Sequence, residues 1–310
     1  PPNNRIVLCH DVAIIGAGPA GLAAAIQIQR FGIAPLVFEM DTPGGLLRNA
    51  NLVENYPGFP RGIAGIKLAR LMEQQAASVG VHLTRSRVER LDWEDTAFRL
   101  DTAQDAFTVR RVIVATGTRP RTLNDITIPS SLAGRVAYEV FHLFDVKDAH
   151  IVIVGAGDAA FDYALNLVGR GNTVTILNRG DELKCLPLLW ERTKAAPRID
   201  YKPHTAVVAL EPGADDGLVL RCISGRDNLS IQADYLLGAI GRQPRLEVVS
   251  PRVREQAASL ERSALLYFIG DVKNGIYRQT SIAVGDGIRA AMQICQEYNH
   301  RDTEFTESSQ

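Results

Sequence analysis

Apolar positions in this chain follow two periods, and the order in which they alternate predicts an α/β protein. Asp11–Ile15 ends in a continuous apolar run, the pattern of a strand buried on both faces. It leads into Gly16-Ala17-Gly18-Pro19-Ala20-Gly21 and an Ala-rich helical stretch, and Pro35–Phe38 reads as the next strand, with Glu39 at its end. Ile63–Val79 has helical spacing. Val81–Leu83, Arg87–Leu91, Phe98–Leu100 and Ala106–Val109 read as short strands, three of them an antiparallel meander. Arg111–Ala115 reads as a separate apolar strand ending in Thr116-Gly117. Asn124–Phe144 is irregular, and then the opening theme recurs: strand Ile151–Val154, a Gly155–Ala160 turn, helix Ala160–Val168 and strand Thr173–Leu177. Asp234–Ile240 closes this second unit and Gly241-Arg242-Gln243-Pro244 turns out of it. Leu265–Ile269 is the last strand, followed by a helix from about Thr280 to Tyr298. The polar tail from Asn299 is expected to be disordered.

The repeated strand–turn–helix–strand unit carries chemistry. In the first copy Gly16 permits the tight turn, Gly18 lets the backbone approach a pyrophosphate, and Gly21 lets the helix pack close to the sheet. The helix start offers N–H groups and a positive dipole end to phosphate, and Glu39 is placed to accept from ribose hydroxyls. Glycines alone are weak grounds, but strand, turn, helix, second strand and acid together point to a dinucleotide rather than a structural turn. In the second copy Gly155, Gly157, Asp158, Ala159 and Ala160 form the turn, and the second strand ends at Asn178-Arg179-Gly180 with Lys184 nearby. Cations in place of an acid suit a 2′-phosphate, against the plainer reading of two solvated surface charges. Asp271 follows an apolar strand where a carboxylate can bond a ribityl or ribose hydroxyl. The helix start at Gln279-Thr280-Ser281 can aim N–H groups at a flavin, or be merely capped by its own hydroxyls.

Composition narrows the class. The 310 residues are enough for two domains, and 46% hydrophobic with 22% charged residues is ordinary for a globular protein. A formal charge of −1 argues against a nucleic-acid partner held by bulk electrostatics. No apolar run reaches membrane-spanning length and no signal peptide precedes the first strand, so a cytoplasmic protein is expected. The chain opens at Pro1 without a methionine, which leaves room for an upstream segment. The four cysteines, Cys9, Cys185, Cys222 and Cys295, are isolated from one another, so neither a CxxC pair nor a metal cluster is present in the sequence.

GAGPAG with Glu39, Gly44-Gly45, VENYPGFP at 53–60, VIVATGTRP at 112–120, GAIGRQP at 238–244 and GDV with YRQTSIAVGDGIRAA at 270–291 together resemble the low-molecular-weight thioredoxin reductases. The resemblance covers nearly the whole chain, in order. It implies two Rossmann-like dinucleotide-binding domains of three-layer ββα type, the NAD(P) domain (118–244) inserted into a discontinuous FAD domain (1–117 and 245–310), and a homodimer. It places Gly16, Gly18, Pro19, Ala20, Gly21, Glu39, Gly45, Leu46, Asn55, Val88, Ala115, Thr116, Gly117, Gly270, Asp271, Gln279 and Thr280 against FAD. For NADPH or NADH it adds Gly241 and Arg242 to the second turn, Arg179 and Lys184.

The family's redox CxxC-acid run aligns without gaps to Tyr138-Glu139-Val140-Phe141-His142, so both cysteines are replaced. That loss points to the ferredoxin/flavodoxin–NADP reductase branch of the same fold, with flavin as the only redox centre and ferredoxin or flavodoxin as electron acceptor. Against this branch, the phosphate-reading run is reduced to Arg179 and Lys184, and only a short tail follows the last helix. Tyr138 and Phe141 are expected to pack on the flavin, and His142 to serve as a proton donor or lie idle on the surface. The competing readings are a disulfide reductase using Cys185 or Cys295, an oxidase of a small metabolite with His142 as base, and a flavin-binding protein without turnover.

Overall fold

A computed structural model describes residues 7–307. In chain order the elements are β1 (Val7–Ile15), α1 (Pro19–Arg30), β2 (Leu36–Glu39), α2 (Gly65–Ser78), β3 (Leu83–Arg85), β4 (Val88–Glu94), β5 (Ala97–Thr102), β6 (Ala106–Val114), β7 (Thr118–Pro120), β8 (Val136–Ala137), β9 (His150–Val154), α3 (Asp158–Gly169), β10 (Thr173–Leu177), α4 (Pro187–Ala195), β11 (Ile199–Lys202), β12 (Thr205–Pro212), β13 (Leu218–Ser224), β14 (Asp227–Ala233), β15 (Tyr235–Gly238), β16 (Arg242–Pro244), α5 (Pro251–Arg262), β17 (Leu266–Phe268) and α6 (Thr280–Glu307). They divide into two compact units: residues 1–48, 54–118 and 244–310 form the first, 49–53 and 119–243 the second.

The first unit is built on a seven-stranded sheet of order β3-β2-β1-β6-β5-β4, with β17 pairing β6. Strand β6 runs parallel to β1 along its whole length, and on its other edge it has two partners in turn. Its first half runs antiparallel to β5 (Phe98↔Val109 to Asp101↔Ala106), its second half parallel to β17 (Leu266↔Val112 to Phe268↔Val114). It is therefore one strand, where the sequence suggested two. The polar pair Arg110-Arg111 falls at the change of partner and interrupts the apolar run. Under the meander, Leu91, Trp93, Phe98, Leu100 and Val109 pack with Val253 and Leu260 of α5 and with Val249 in the segment leading to it. Helix α5 begins at a Ser250 cap whose hydroxyl accepts from Val253 N–H at 3.2 Å, with Pro251 in the first turn. Helix α6 does not stop near Tyr298 but continues to Glu307; the expectation of a disordered tail otherwise falls on residues 308–310, outside those described.

The second unit has a five-stranded parallel sheet of order β11-β10-β9-β15-β8 and a separate antiparallel meander β12-β13-β14. Leu218, Leu220 and Cys222 alternate inward along β13, against Leu210, Ile231 and Ala233. The chain enters the unit at β7 and leaves it at β16, and the two pair as a short ribbon.

Candidate functional site

In the first unit the Gly-rich turn has the shape a dinucleotide requires. Gly16 has φ +107°, and a Cβ there would lie 2.5 Å from the Ala115 carbonyl oxygen; at Gly21 it would lie 1.9 Å from Gly16 O. Both glycines are fixed by backbone approach. Gly18 differs: a Cβ there meets nothing within 4 Å, so its smallness leaves room in front of the turn. Pro19 occupies the first turn of α1, and Leu22 N–H is bonded to Gly18 O at 2.9 Å, so Ala20 and Gly21 present N–H groups at the helix start. Glu39 is buried. One carboxylate oxygen accepts from Ala17 N–H at 2.8 Å and the other from Asp41 N–H at 3.0 Å. Each oxygen keeps a second lone pair, which is what two ribose hydroxyls need.

The remaining expected FAD residues gather in the same unit. Gly44 N–H donates to Ala17 O at 2.8 Å, bringing Gly45 so close that its Cβ would stand 3.4 Å from Gly18 Cα, with Leu46 half-buried beside it. Ala115, Thr116 and Gly117 follow β6. The Thr116 hydroxyl donates to Arg245 O at 2.6 Å, and Gly117 O accepts from Arg245 N–H at 3.0 Å. Gly270 has φ +69° and sits against Ala20; its N–H donates to Asp286 at 3.0 Å, and Asp271 follows in the same short turn. Asn55 donates to the Gln279 side chain at 2.8 Å, just before Thr280 opens α6. The side chain of Val88 faces the core, which leaves only its backbone for a ligand. The orphan N–H groups, the open face of Gly18 and the two-oxygen acceptor at Glu39 fit FAD. Two residues were not read from sequence: Asp286, which fixes the Gly270 turn together with Asn274, and Gly287, where a Cβ would lie 2.2 Å from Ala20 O. The GDGIRAA run contains both, but their partners are in α1 and the Gly270 turn.

In the second unit Gly155 has φ +133° and its Cβ would lie 2.2 Å from Ala239 O, while Gly157 has only Lys184 O at 3.9 Å. Asp158 opens α3, Ala159 is exposed and Ala160 buried in the helix. This turn also fits a dinucleotide diphosphate. The ribose end is less committed. Asn178 is buried and spent on its own loop, donating to Glu182 O and Tyr201 and accepting from Gly180 N–H. Arg179 is exposed. The Lys184 ammonium pairs with Glu182 at 3.2 Å on the surface, and its backbone N–H docks on Ala156 O at 3.2 Å. The Asp158 carboxylate accepts from Leu186 N–H at 2.7 Å, which ties this loop to the Gly-rich turn.

Gly241 has φ +103° and leads into Arg242, whose expected place is beside the pyridine nucleotide. Its guanidinium donates to both oxygens of Glu139, at 3.1 and 2.7 Å, and both side chains are 15% exposed. Asn49 Nδ2 donates to Glu139 at 2.7 Å, and Asp162 accepts from Asn51 N–H at 2.8 Å. Tyr163 lies in the same cluster; burial first, then the Glu139 carboxylate, push its pKa up to about 12. The sequence contained all these residues without any spacing that joins them.

The run Tyr138–His142 makes contacts within its own unit. Tyr138, the ring expected to pack on the flavin, fills the notch left by Gly238, where a Cβ would come within 2.7 Å of it, and its hydroxyl accepts from Leu123 N–H at 3.1 Å. Phe141 stacks on His142 with ring centroids 4.1 Å apart, and His142 is exposed on a short 3-10 turn. Cys222 and Cys295 are buried and Cys185 half-buried; burial raises all three thiols, and Asp158 raises Cys185 further. Cys9 lies outside the residues whose side chains are described. Among the described residues no His/Cys/Asp/Glu group could hold a metal, and no helix is long and apolar enough to cross a membrane.

Two Gly-rich βαβ turns, one on each sheet, define a class: enzymes with two dinucleotide-binding folds, one for a flavin nucleotide and one for a pyridine nucleotide. The family model described as pyridine nucleotide-disulphide oxidoreductase matches residues 10–287, and the chain belongs to that family. It is similar to the thioredoxin reductase of Mycolicibacterium smegmatis, at 31% identity over 91% of this chain and 94% of that protein. The Streptomyces clavuligerus thioredoxin reductase is 33% identical over 91% and 92%. Among solved structures, the Lactococcus lactis thioredoxin reductase matches with a TM-score of 0.80 at 26% identity, covering 93% of this chain and 98% of that one. The chain is thus an FAD- and NAD(P)H-dependent oxidoreductase of the thioredoxin-reductase fold.

Proposed function

We propose that this oxidoreductase works with FAD as its sole redox centre, so that electrons reach the external acceptor without passing through a dithiol of the chain. The observation that carries this reading is the run 138–142, which has no cysteine and whose Tyr138 and Glu139 are committed to Gly238, Leu123, Arg242 and Asn49. Bound FAD would supply hydride acceptance from NAD(P)H and onward electron transfer. The chain's part is to bind and orient. Glu39 and the α1 start hold the flavin nucleotide in an FAD domain comprising 1–117 and 245–310. The Gly155 turn holds the pyridine nucleotide in a domain comprising 118–244, with Arg179 at the 2′-phosphate. His142 remains the candidate proton donor of that run.

For the acceptor, the names of the relatives favour a disulfide over ferredoxin or flavodoxin. That supports a second reading, a disulfide reductase using a non-standard cysteine, for which half-buried Cys185 beside the second Gly-rich turn is the candidate. A homodimer accords with the family. Rapid-mixing reduction of the holoenzyme by NADPH and NADH, followed by reoxidation with thioredoxin disulfide, before and after thiol alkylation, tests the proposal. Alkylation leaves both half-reactions intact if flavin acts alone. Loss of disulfide reduction after alkylation, and in Cys185→Ser, selects the second reading. Failure of both nucleotides to bleach the flavin refutes both.

A further inference from the structure

On the helix-facing side of the first unit's sheet, β6, β17 and α6 bring together three polar side chains that the dinucleotide chemistry does not use. Arg111 is 2% exposed, and its Nε and Nη1 have no hydrogen-bond partner. Its guanidinium lies over the Tyr298 ring, 5.2 Å from the centroid. The hydroxyls of Tyr298 and of Tyr267, the latter 9% exposed, are buried and unpartnered as well. Four polar atoms gather there without a hydrogen bond to one another, and Arg111 is electrostatically coupled to each tyrosine.

A desolvated guanidinium cannot shed its proton, so it needs a counter-charge or costs several kcal/mol. Burial lowers the Arg111 pKa, and neighbouring Arg110 lowers it further. The tyrosines cannot supply the charge near neutral pH, since burial raises Tyr267 to about 12 and Tyr298 higher still. Two carboxylates are close, both exposed. Glu297 acts on Arg111 and Tyr267 through its charge, and after burial itself the Asp11 carboxylate, beside the Tyr298 hydroxyl, raises the pKa of that tyrosine. Two guanidinium N–H groups that can only donate, flanked by two hydroxyls free to donate, suit an anion better than water, which asks for acceptors too.

We propose that Arg111, Tyr267 and Tyr298 form an internal site for a small monovalent anion of the halide class, held between the sheet and α6. The site shares no residue with either Gly-rich turn and does not depend on which acceptor the enzyme uses.

The test is crystallographic and thermal. Holoenzyme crystals grown or soaked in bromide should show an anomalous peak within hydrogen-bonding reach of Arg111 and a tyrosine hydroxyl. In solution, chloride or bromide replacing gluconate at constant ionic strength should raise the holoenzyme's Tm by about 3 °C or more near saturation. Arg111→Met should abolish that difference. Tyr298→Phe, a gentler change should the first variant fail to fold, should move its midpoint to higher halide. A bromide map with no peak there, or with only a water or the Glu297 or Asp11 carboxylate bonded to Arg111, overturns the proposal. So does a halide effect that is the same in Tyr298→Phe as in the wild type.

Discussion

Gly18 and Gly21 stand three positions apart in one turn, yet the structure gives them different duties. Gly18 has φ −74° and open space where a Cβ would stand, so Gly18→Ala should leave the apoprotein's unfolding free energy within about 0.5 kcal/mol of wild type. Its added methyl should instead weaken FAD binding, measured by flavin fluorescence on dilution. In Gly21→Ala the Cβ would strike the Gly16 carbonyl, and the apoprotein itself should lose about 1–3 kcal/mol in a urea titration. Equal losses of stability in the two variants would remove the distinction between a ligand-facing and a packing glycine. A second effect belongs to Tyr163. Its folded pKa of about 12 exceeds the unfolded value of 10.0, so the native state keeps a proton that the unfolded state releases. The contribution is whole below pH 10 and is lost as pH rises toward 12, on the order of 2–3 kcal/mol. Unfolding followed from pH 9 to 12 should show a shallower decline in Tyr163→Phe.

The end of β10 is where nucleotide choice is argued. Lys184 is paired with Glu182 and Asn178 is spent on its loop, which leaves exposed Arg179 as the cation best placed for a 2′-phosphate. Arg179→Ala should raise the KM for NADPH by about 10-fold or more while hardly changing that for NADH, the loss of a charge-assisted contact. Equal changes for both nucleotides would remove the phosphate from that position. The elements themselves were legible in sequence where pattern is local. Both Gly-rich turns, their helices and the acid at β2 follow from spacing over a few dozen residues. What was not legible depends on distant partners. β6 reads as two strands because its register passes from β5 to β17 at Arg110-Arg111. The β12–β14 meander was within reach of sequence, since Leu218, Leu220 and Cys222 alternate, but charged and polar residues break the apolar pattern of its outer strands. Gly287 takes its meaning from α1, and the Glu139–Arg242 pair joins the start of β16 to a residue 103 positions earlier, which no single stretch reveals.

At the scale of the whole molecule, the fold of the thioredoxin reductases is kept, and the run 138–142, which holds no cysteine, packs within its own unit. Tyr138 seals a notch beside β15, and Glu139 neutralises Arg242. On the proposed reading the scaffold has two dinucleotide turns but one redox group, and that has a stoichiometric consequence. Anaerobic reduction of the purified holoenzyme with dithionite, followed by flavin absorbance and a thiol count, measures it directly. With flavin as the sole centre, reduction should be complete at two electrons per FAD, with no new thiols. Uptake of four electrons per FAD with two thiols appearing would show a disulfide in the chain and contradict the account.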